Sequence, residues 1–164
     1  MHQQGFSLIE LLMGLAIAAI VLPWAGAGYK ELIESTERKD AAQLLASGLR
    51  SARSEAIARN RAVLIQGIDN DWGQGWRITL DDDAQTLLNE RSSRARVIGN
   101  WSVKHSVRFD NQGRALLPSG AFQAGTLHVC AKHEPVSHHQ VVLARTGRVS
   151  LRSNEAEQAL CERT

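Results

Sequence analysis

Hydrophobic positions follow two helical patterns in the first third of the chain. Residues 6–27 are apolar apart from Ser7, small glycines and the single carboxylate Glu10, and about 20 apolar residues are enough to cross a ~30 Å hydrocarbon core. Residues 30–60 contain no proline, and their apolar side chains recur at the three- and four-residue steps typical of one buried helix face: Ala41, Leu45, Leu49, Ala52 and Ala56. These patterns predict one long helix, with a transmembrane half at residues 6–29 and an amphipathic half at residues 30–61.

The period changes to two from Ala62 onward, where Trp76, Ile78 and Leu80 alternate with Arg77 and Thr79. Alternation of this kind is typical of a strand that is buried on one side. Shorter segments with the same pattern lie near residues 63–65, 96–98, 106–109, 127–129, 141–143 and 149–151. We therefore predict the fold class α+β, with a small, mostly antiparallel β-rich domain over residues 62–164 packed on the long helix.

The carboxylate at Glu10 needs an explanation, because an ionisable group inside an apolar span costs about 2.5–3.5 kcal/mol on insertion scales. One interpretation is a plain membrane anchor with Glu10 near the interface. Another is a secretory signal peptide cleaved near Ala25-Gly26-Ala27. Residues 1–5 contain no Lys or Arg, and Glu10 interrupts the apolar run, so both features argue against the secretory signal.

A third interpretation rests on the string GFSLIELL at residues 5–12, which resembles the processing signal of type IV pilins and pseudopilins. The resemblance implies that residues 1–5 are a leader, that a prepilin peptidase cleaves after Gly5, and that Phe6 is then N-methylated. It also implies that Glu10 neutralises the terminal amine of a neighbouring subunit in the filament. A buried charge is tolerated when it is paired in this way. The leader departs from the family pattern, since His2 is its only basic side chain.

This resemblance places the chain in the inner membrane as a single-pass protein, held by lipid, with its globular domain in the periplasm before assembly into a pilus or pseudopilus. The expected partners are the prepilin peptidase and other pilins or pseudopilins. Cys130 and Cys161 are the only cysteines, and disulfides persist in an oxidising periplasm. We predict a bridge between them that restrains the C-terminal tail; two separate buried thiols are the alternative.

Several classes of function lack support in the sequence. The net charge is only +2, from 19 basic and 17 acidic residues, so no whole-chain field attracts nucleic acid. Asp81–Asp83 lacks the spacing of an EF-hand and is interpreted as a solvated acidic turn. His138 and His139 are adjacent, and neighbours on a strand point to opposite faces, which disfavours a shared metal. With no nucleophile elbow or phosphate loop, we expect no enzyme, no cofactor and no metal.

The C-terminal region is locally basic. Between residues 128 and 152 the cations are Lys132, Arg145, Arg148 and Arg152, against the single carboxylate Glu134. If residues 148–152 form a strand, Arg148, Ser150 and Arg152 share one face while Val149 and Leu151 fill the core. Two interpretations remain open, an ordinary solvated strand face or a patch that binds phosphates.

A second resemblance, to the GspH/FimT family of minor pilins and pseudopilins, spans most of the chain. Its segments are Ala52-Arg53-Ser54-Glu55-Ala56, Gly75-Trp76 leading into Asp81–Asp83, Phe109–Arg114 and Gly147-Arg148. The resemblance implies a pilin-like fold, in which the sheets pack on the C-terminal half of the helix. It is closest to the FimT-like branch, some members of which bind DNA during natural transformation through a G-R-x-R segment.

Gly147 and Arg148 match the start of that segment, whereas Ser150 occupies the position of its second arginine and Arg152 follows two residues later. The expected function is that of a minor pilin, placed near the tip of a type IV pilus, which supports assembly. The resemblance extends this to binding double-stranded DNA without sequence preference, through Arg148, Arg152, Arg145 and Lys132. The alternative within the same fold is a GspH-type pseudopilin of a type II secretion system.

Overall fold

The structure is a computed structural model that describes residues 7–82, 86–90, 95–132 and 134–162, without the side chains of residues 22–27 and 86–90. The chain forms two compact units that divide between Thr36 and Glu37. The leader, residues 1–5, and the predicted processing residues Gly5 and Phe6 lie outside the described residues.

The first unit contains the N-terminal part of helix α1 (Leu8–Arg59). Ser7 precedes the first helical residue, and its backbone N–H donates a 3.0 Å hydrogen bond to a carboxylate oxygen of Glu10. This is one half of a capping box, and the negative charge also suits the positive end of the helix dipole. The large apolar side chains of this part are exposed to solvent in the single chain, among them Leu8, Ile9, Leu11, Leu12, Met13, Leu15, Ile17, Ile20 and Val21.

The predicted transmembrane half at residues 6–29 includes Phe6 and the side chains of residues 22–27, which are not described. In the portion of the chain that is described, no helix has the length and apolar character required to cross a membrane.

The second unit begins with the amphipathic part of α1. Its predicted buried face is confirmed, because Ala41, Leu45, Leu49, Ala52 and Ala56 are all fully buried. The helix ends at Arg59, two residues before the predicted end. Asn60 adopts a left-handed φ of 52°. The N–H groups of Asn60 and Arg61 donate to the carbonyls of Ile57 and Ala56, which is the Schellman pattern that closes a helix.

The rest of this unit consists of two antiparallel sheets, so the predicted α+β class is confirmed. The strands within the described residues are β1 (Val63–Ile68), β2 (Asp71–Leu80), β3 (Thr86–Glu90), β4 (Arg96–Gly99), β5 (Ser106–Phe109), β6 (Gly125–Cys130), β7 (Val136–Leu143), β8 (Val149–Arg152) and β9 (Ala156–Glu157). One sheet has the order β3-β2-β1-β5 and the other the order β4-β6-β7-β8, with β9 also paired to β7. Two 3-10 helices, Trp101–Val103 and Ala159–Glu162, complete the fold.

The core lies between α1 and the inner faces of the sheets. Trp76 of β2 is fully buried and lies directly against Gly48 of the helix, where an added Cβ would collide with the indole nitrogen. On β8, Val149 is buried and Leu151 packs against the core, as the alternation in the sequence predicts. Arg152 of this strand is therefore left exposed on its outer side.

The predicted disulfide is confirmed. Cys130, at the end of β6, is bonded to Cys161 in the last 3-10 helix, with the two Cα atoms 5.6 Å apart. The carbonyl of Cys161 also accepts a 2.8 Å hydrogen bond from the guanidinium of Arg96. The bridge and this bond together fasten the C-terminal segment to the second sheet.

Candidate nucleic-acid interface

The connection between β7 and β8 is a tight turn that carries two of the predicted arginines. The N–H of Gly147 donates to the carbonyl of Ala144 (2.9 Å), and the N–H of Ala144 donates to the carbonyl of Arg148 (2.9 Å). Gly147 has a φ of 77°, which strains any residue with a Cβ. A Cβ at this position would also run into the carbonyl oxygen of Gly113. The turn therefore depends on glycine and holds Arg145 and Arg148 on the surface.

A second turn, at residues 110–114, lies against the first and is organised by Asp110. The carboxylate of Asp110 accepts hydrogen bonds from the N–H of Gln112 (3.0 Å), the N–H of Arg114 (2.8 Å) and the guanidinium of Arg114 (2.7 Å). Burial alone would raise the pKa of Asp110, but these bonds and the charge of Arg114 outweigh it and hold the pKa below its usual value.

Arg53 of α1 joins this second turn to the helix. Its Nε donates a 2.8 Å hydrogen bond to the carbonyl of Gly113. Gly113 has a φ of 74°, and a Cβ there would lie 2.7 Å from Cδ1 of Ile57. Three of the segments that carry the family resemblance, residues 52–56, 109–114 and 147–148, thus meet at one place.

Where these segments meet, the surface contains a groove of about 280 Å³ that we call the basic groove. It is lined by Arg50, Arg53, Ser54, Ile57, Gly147, Arg148 and Val149. A terminal nitrogen of Arg50 lies 3.4 Å from the carbonyl of Val149. Arg50 and Arg148 are exposed and Arg53 is half-buried. Across the described residues, no carboxylate forms an ion pair with any of these three guanidiniums, so their charges are available to an anion.

The four cations predicted from the sequence are not all at this groove. Arg148 lines it and Arg145 is exposed in the adjoining turn. Arg152 lies opposite Gln140 at the far end of β8, and four strand residues correspond to about 13 Å of rise from Arg148. Lys132 follows β6, at the other end of β7 from the turn, about 23 Å away along the strand. Its ammonium lies 3.9 Å from the carboxylate of Glu37, so the structure does not bring Lys132 to this surface.

The matches to known families include segments that meet at the basic groove. Residues 41–147 match the family model described as "Type II transport protein GspH". The chain belongs to the GspH family. Residues 1–22 of this GspH-family chain match the model of the prokaryotic N-terminal methylation motif. Both resemblances stated from the sequence are thereby confirmed at the level of family and motif.

Two crystal structures of the type IV minor pilin FimU from Pseudomonas aeruginosa PAO1, in different crystal forms, have the same fold as this GspH-family chain. Each is 24% identical in sequence, with TM-scores of 0.62 and 0.64. The alignments cover 75% and 79% of this chain and 98% of each FimU chain. The predicted pilin-like fold is confirmed. A search of curated proteins found no significant match.

The sequence of the GspH-family chain does not single out Arg50 as a candidate, and Arg53 appears in it only within a family segment. Both residues lie beside the buried stripe of α1 that contains Leu49 and Ala52. Their three-residue spacing places them on one side of the helix, a signal present in the sequence. The residues that they face could not be predicted from the sequence, because Arg50 contacts Val149, which is 99 residues away along the chain.

In the GspH-family chain, the described aspartates of the acidic turn at residues 81–83 form ion pairs with arginines. Asp81 pairs with Arg108 (2.7 Å) and Asp82 with Arg61 (2.6 Å), while Asp83 lies outside the described residues. Among the residues that are described, no three His, Cys, Asp or Glu side chains form a group able to hold a metal.

The adjacent histidines of β7 have different partners. His138 lies 2.9 Å from a carboxylate oxygen of Glu155, whereas Nδ1 of His139 lies 3.1 Å from the hydroxyl of Ser153. Burial lowers the pKa of His139, and the nearby positive charges lower it further. Burial also lowers the pKa of His128.

Proposed function

We propose that this GspH-family protein is a minor pilin of a type IV pilus. In this proposal a prepilin peptidase cleaves after Gly5 and methylates Phe6. The protein resides in the inner membrane as a single-pass protein with its domain in the periplasm. It then joins other pilins near the tip of the filament and supports assembly. The observation that carries the proposal is an N-terminal methylation motif on the same chain as a GspH unit. The shared fold with the minor pilin FimU supports the pilus over other filaments.

Glu10 is proposed to pair with the methylated amine of a neighbouring subunit. In the single chain its carboxylate is exposed and accepts a hydrogen bond from the Ser7 N–H. A carboxylate offers about four acceptor sites, so it can keep this intrachain bond and still receive an ammonium group. Pairing would remove the cost of burying the charge among apolar helices.

The assembly role is tested with Glu10→Ala in the host, measured by the amount of the protein in sheared filaments. We expect incorporation to be lost while the amount in the membrane is unchanged. Glu34→Ala, a carboxylate change on the same helix beyond the apolar run, is the matched control and should assemble normally. Normal incorporation of Glu10→Ala would contradict the proposal.

We further propose that the basic groove binds double-stranded DNA for uptake in natural transformation. Arg50, Arg53 and Arg148 present guanidiniums without carboxylate partners, and Arg145 extends the positive surface along the turn. Guanidinium groups match the geometry of phosphate oxygens. Contacts to the backbone alone give binding that tolerates any sequence and weakens steeply with salt. Arg152 is proposed as a contact farther along β8.

Gel-shift titration of the full chain in detergent, with a 24-base-pair duplex over a series of salt concentrations, tests this proposal. We expect Arg148→Gln to weaken binding and to lower the slope of log K against log salt by about 0.9. The matched control is Arg77→Gln, which removes an exposed arginine on the other sheet, away from the groove. Equal affinities and slopes for the wild type and the double variant Arg50→Gln/Arg148→Gln would overturn the DNA proposal and leave the assembly proposal standing.

The description of the matching family favours a second candidate, a pseudopilin of a type II secretion system. Deletion of the gene separates the two functions. Loss of surface pili with normal protein secretion supports the minor pilin, and the reverse result supports the pseudopilin.

A further inference from the structure

A second groove, which we call the Trp101 groove, lies on the outer face of β1 and β5. Its volume is about 540 Å³, and the side chains that matter here are Trp101, Lys104, His105, Arg108 and Asp81. Leu64 of β1 and Arg108 of β5 turn outward into it, whereas their strand neighbours are buried in the core. The groove and the basic groove share no lining residue.

Trp101 is exposed in a way that the fold does not require. The indoles of Trp72 and Trp76 are almost fully buried, whereas Trp101 is 82% exposed. Its short helix is anchored instead by Val103, which is fully buried, and by a hydrogen bond from the Ser102 hydroxyl to the carbonyl of Ala124. The Trp101 ring is therefore accessible to a ligand, and aromatic side chains of this kind offer a face on which bases stack.

The support beneath Trp101 is preorganised. The indole N–H of Trp72 donates to the carbonyls of Val103 (3.1 Å) and Lys104 (3.0 Å). The side-chain amide of Gln123 donates to the carbonyl of Ser102 (2.6 Å). Backbone groups on the C-terminal side of Trp101 are thus held from two directions, so binding would order few additional groups.

The charges beside Trp101 favour a phosphate-bearing ligand. Lys104 and His105 are exposed three and four residues after Trp101 in the sequence, and across the described residues Lys104 has no carboxylate partner. On the opposite side, Nε of Arg108 lies 2.7 Å from a carboxylate oxygen of Asp81, with both side chains partly exposed. This pair presents donors and an acceptor together, which suits the edge of a base.

We propose that the Trp101 groove binds a single-stranded stretch of DNA, with one base stacked on the Trp101 indole and a phosphate held by Lys104. Sites for single strands combine a positively charged groove with an aromatic surface on which bases stack, and duplex DNA offers its bases to such a surface only where the strands separate. Aromatic residues and Arg are common at protein–protein interfaces, whereas Lys and Asp are depleted there. The charges of Lys104 and Asp81 are therefore what favours DNA over a neighbouring subunit as the occupant.

The position of the groove also fits DNA that is held at the basic groove. Arg108 in the Trp101 groove and Gly113, which contacts Arg53 in the basic groove, are five residues apart, so their backbones are at most about 18 Å apart. One turn of duplex spans about 34 Å. A frayed end or gap in a bound duplex would therefore lie within reach. The inference rests on the proposed DNA binding, but it uses different residues and a different strand state.

Fluorescence anisotropy of the full chain in detergent, with a labelled dT12 oligonucleotide and with the 24-base-pair duplex, tests the inference. We expect Trp101→Ala to weaken dT12 binding at least about 5-fold while leaving duplex affinity unchanged, and Trp101→Phe to retain part of the affinity. Lys104→Gln should lower the salt slope for dT12 by about 0.7. Phe122→Ala, which truncates another exposed aromatic outside the groove, is the matched control and should bind like the wild type.

Different experimental results would overturn each of the two DNA proposals. If Trp101→Ala binds dT12 like the wild type, or if the wild type binds the duplex but not dT12, the Trp101 groove inference is overturned and the basic groove is unaffected. If Arg50→Gln/Arg148→Gln leaves duplex binding intact while Trp101→Ala abolishes dT12 binding, the basic groove proposal fails and the inference stands. Loss of filament incorporation in Trp101→Ala, with dT12 binding unchanged, would identify the groove as a subunit interface and overturn the inference.

Discussion

Arg53 and Gly113 are joined by a 2.8 Å hydrogen bond from the guanidinium Nε to the carbonyl oxygen. The same carbonyl faces Gly147, which approaches it so closely that no Cβ fits between them. One backbone oxygen therefore sets the positions of the helix, the turn at residues 110–114 and the turn that carries Arg145 and Arg148. The geometry of the basic groove depends on this contact.

The contact predicts that Gly147→Ala is more harmful than a left-handed conformation alone would explain. Gly120 supplies the matched control, because it has a φ of 83° but no atom within 4 Å of an added Cβ. Gly120→Ala should cost about 1–3 kcal/mol from backbone strain, and Gly147→Ala should cost more and also weaken duplex binding. Urea unfolding and gel-shift titration measure the two effects. Equal losses of stability in the two variants would show that the close approach to Gly113 does not matter.

The turn at residues 110–114 predicts a pH-dependent contribution from Asp110. Its pKa is lowered in the folded chain from a usual value of 3.8. The stabilisation is therefore complete above the unfolded-state pKa and is lost as the pH falls through the folded-state pKa. Asp110→Asn should reduce stability by roughly 1.5–3 kcal/mol at pH 7, because charge-assisted hydrogen bonds are removed.

Urea unfolding at pH 7 and at decreasing pH below about 4 tests this expectation. The difference in unfolding free energy between wild type and Asp110→Asn should shrink as the wild-type carboxylate is protonated. Asp40→Asn, at an exposed position on α1, should show little difference at any pH. A gap between wild type and Asp110→Asn that stays constant with pH would mean that the carboxylate charge is not what stabilises the turn.

The periodic elements were predictable from the sequence, because burial on one face imposes a period on the residues themselves. The buried stripe of α1 and the alternation on β8 follow this rule. The end of α1 at Arg59 was missed by two residues, since it depends on the left-handed conformation of Asn60 and not on periodicity. Such a cap is visible only once the backbone is known.

The basic groove was only half predictable. Arg145 and Arg148 belong to a local cluster of cations, which a reading along the chain detects. Arg50 joins them from a segment 99 residues away from Val149, and no local pattern encodes that approach. Lys132 is the opposite case, because its nearness in sequence to the basic cluster suggests one patch, whereas it lies at the other end of β7 from the turn that carries Arg145 and Arg148.

The packing of Trp76 on α1 predicts an unusual response to a helix-favouring substitution. Ala is normally preferred over Gly within a helix by about 1 kcal/mol. At Gly48, however, a Cβ would collide with the Trp76 indole nitrogen and lie 2.7 Å from Cε2. Gly48→Ala should therefore destabilise the chain by about 1–3 kcal/mol through overpacking. Gly28→Ala, on the same helix with no atom within 4 Å, should not lower the urea midpoint. A stabilised Gly48→Ala variant would contradict this account of the packing.

The disulfide predicts a stability difference between oxidised and reduced protein. The bridge closes a segment of 31 residues, for which restriction of the unfolded chain contributes about 2–4 kcal/mol. Reduction with dithiothreitol, or the double variant Cys130→Ser/Cys161→Ser, should lower the unfolding free energy by that amount. Dithiothreitol should have no effect on the double variant, which controls for other actions of the reagent. A reduced wild type as stable as the oxidised one would show that the bond does not restrain the tail.

The last prediction concerns Ser150, which stands where the resemblance expects a second arginine. Arg50 of α1 lies 3.4 Å from the carbonyl of the preceding residue, Val149, and it lines the basic groove together with Arg148. We expect its guanidinium to supply the phosphate contact that the absent arginine would make. On the proposed function, Arg50→Gln should lower the salt slope of duplex binding by about 0.9, as Arg148→Gln does. Adding Ser150→Arg to Arg50→Gln should restore the slope, because one phosphate contact replaces another.

Gel-shift titrations of the single variants and the double variant measure this exchange. Gln74→Arg in the Arg50→Gln background adds the same charge on the other sheet and should restore little, which separates a local contact from a change in net charge. If Ser150→Arg adds affinity equally with and without Arg50, the two guanidiniums act independently. Arg50 would then contribute to the field of the groove without replacing the arginine that Ser150 lacks.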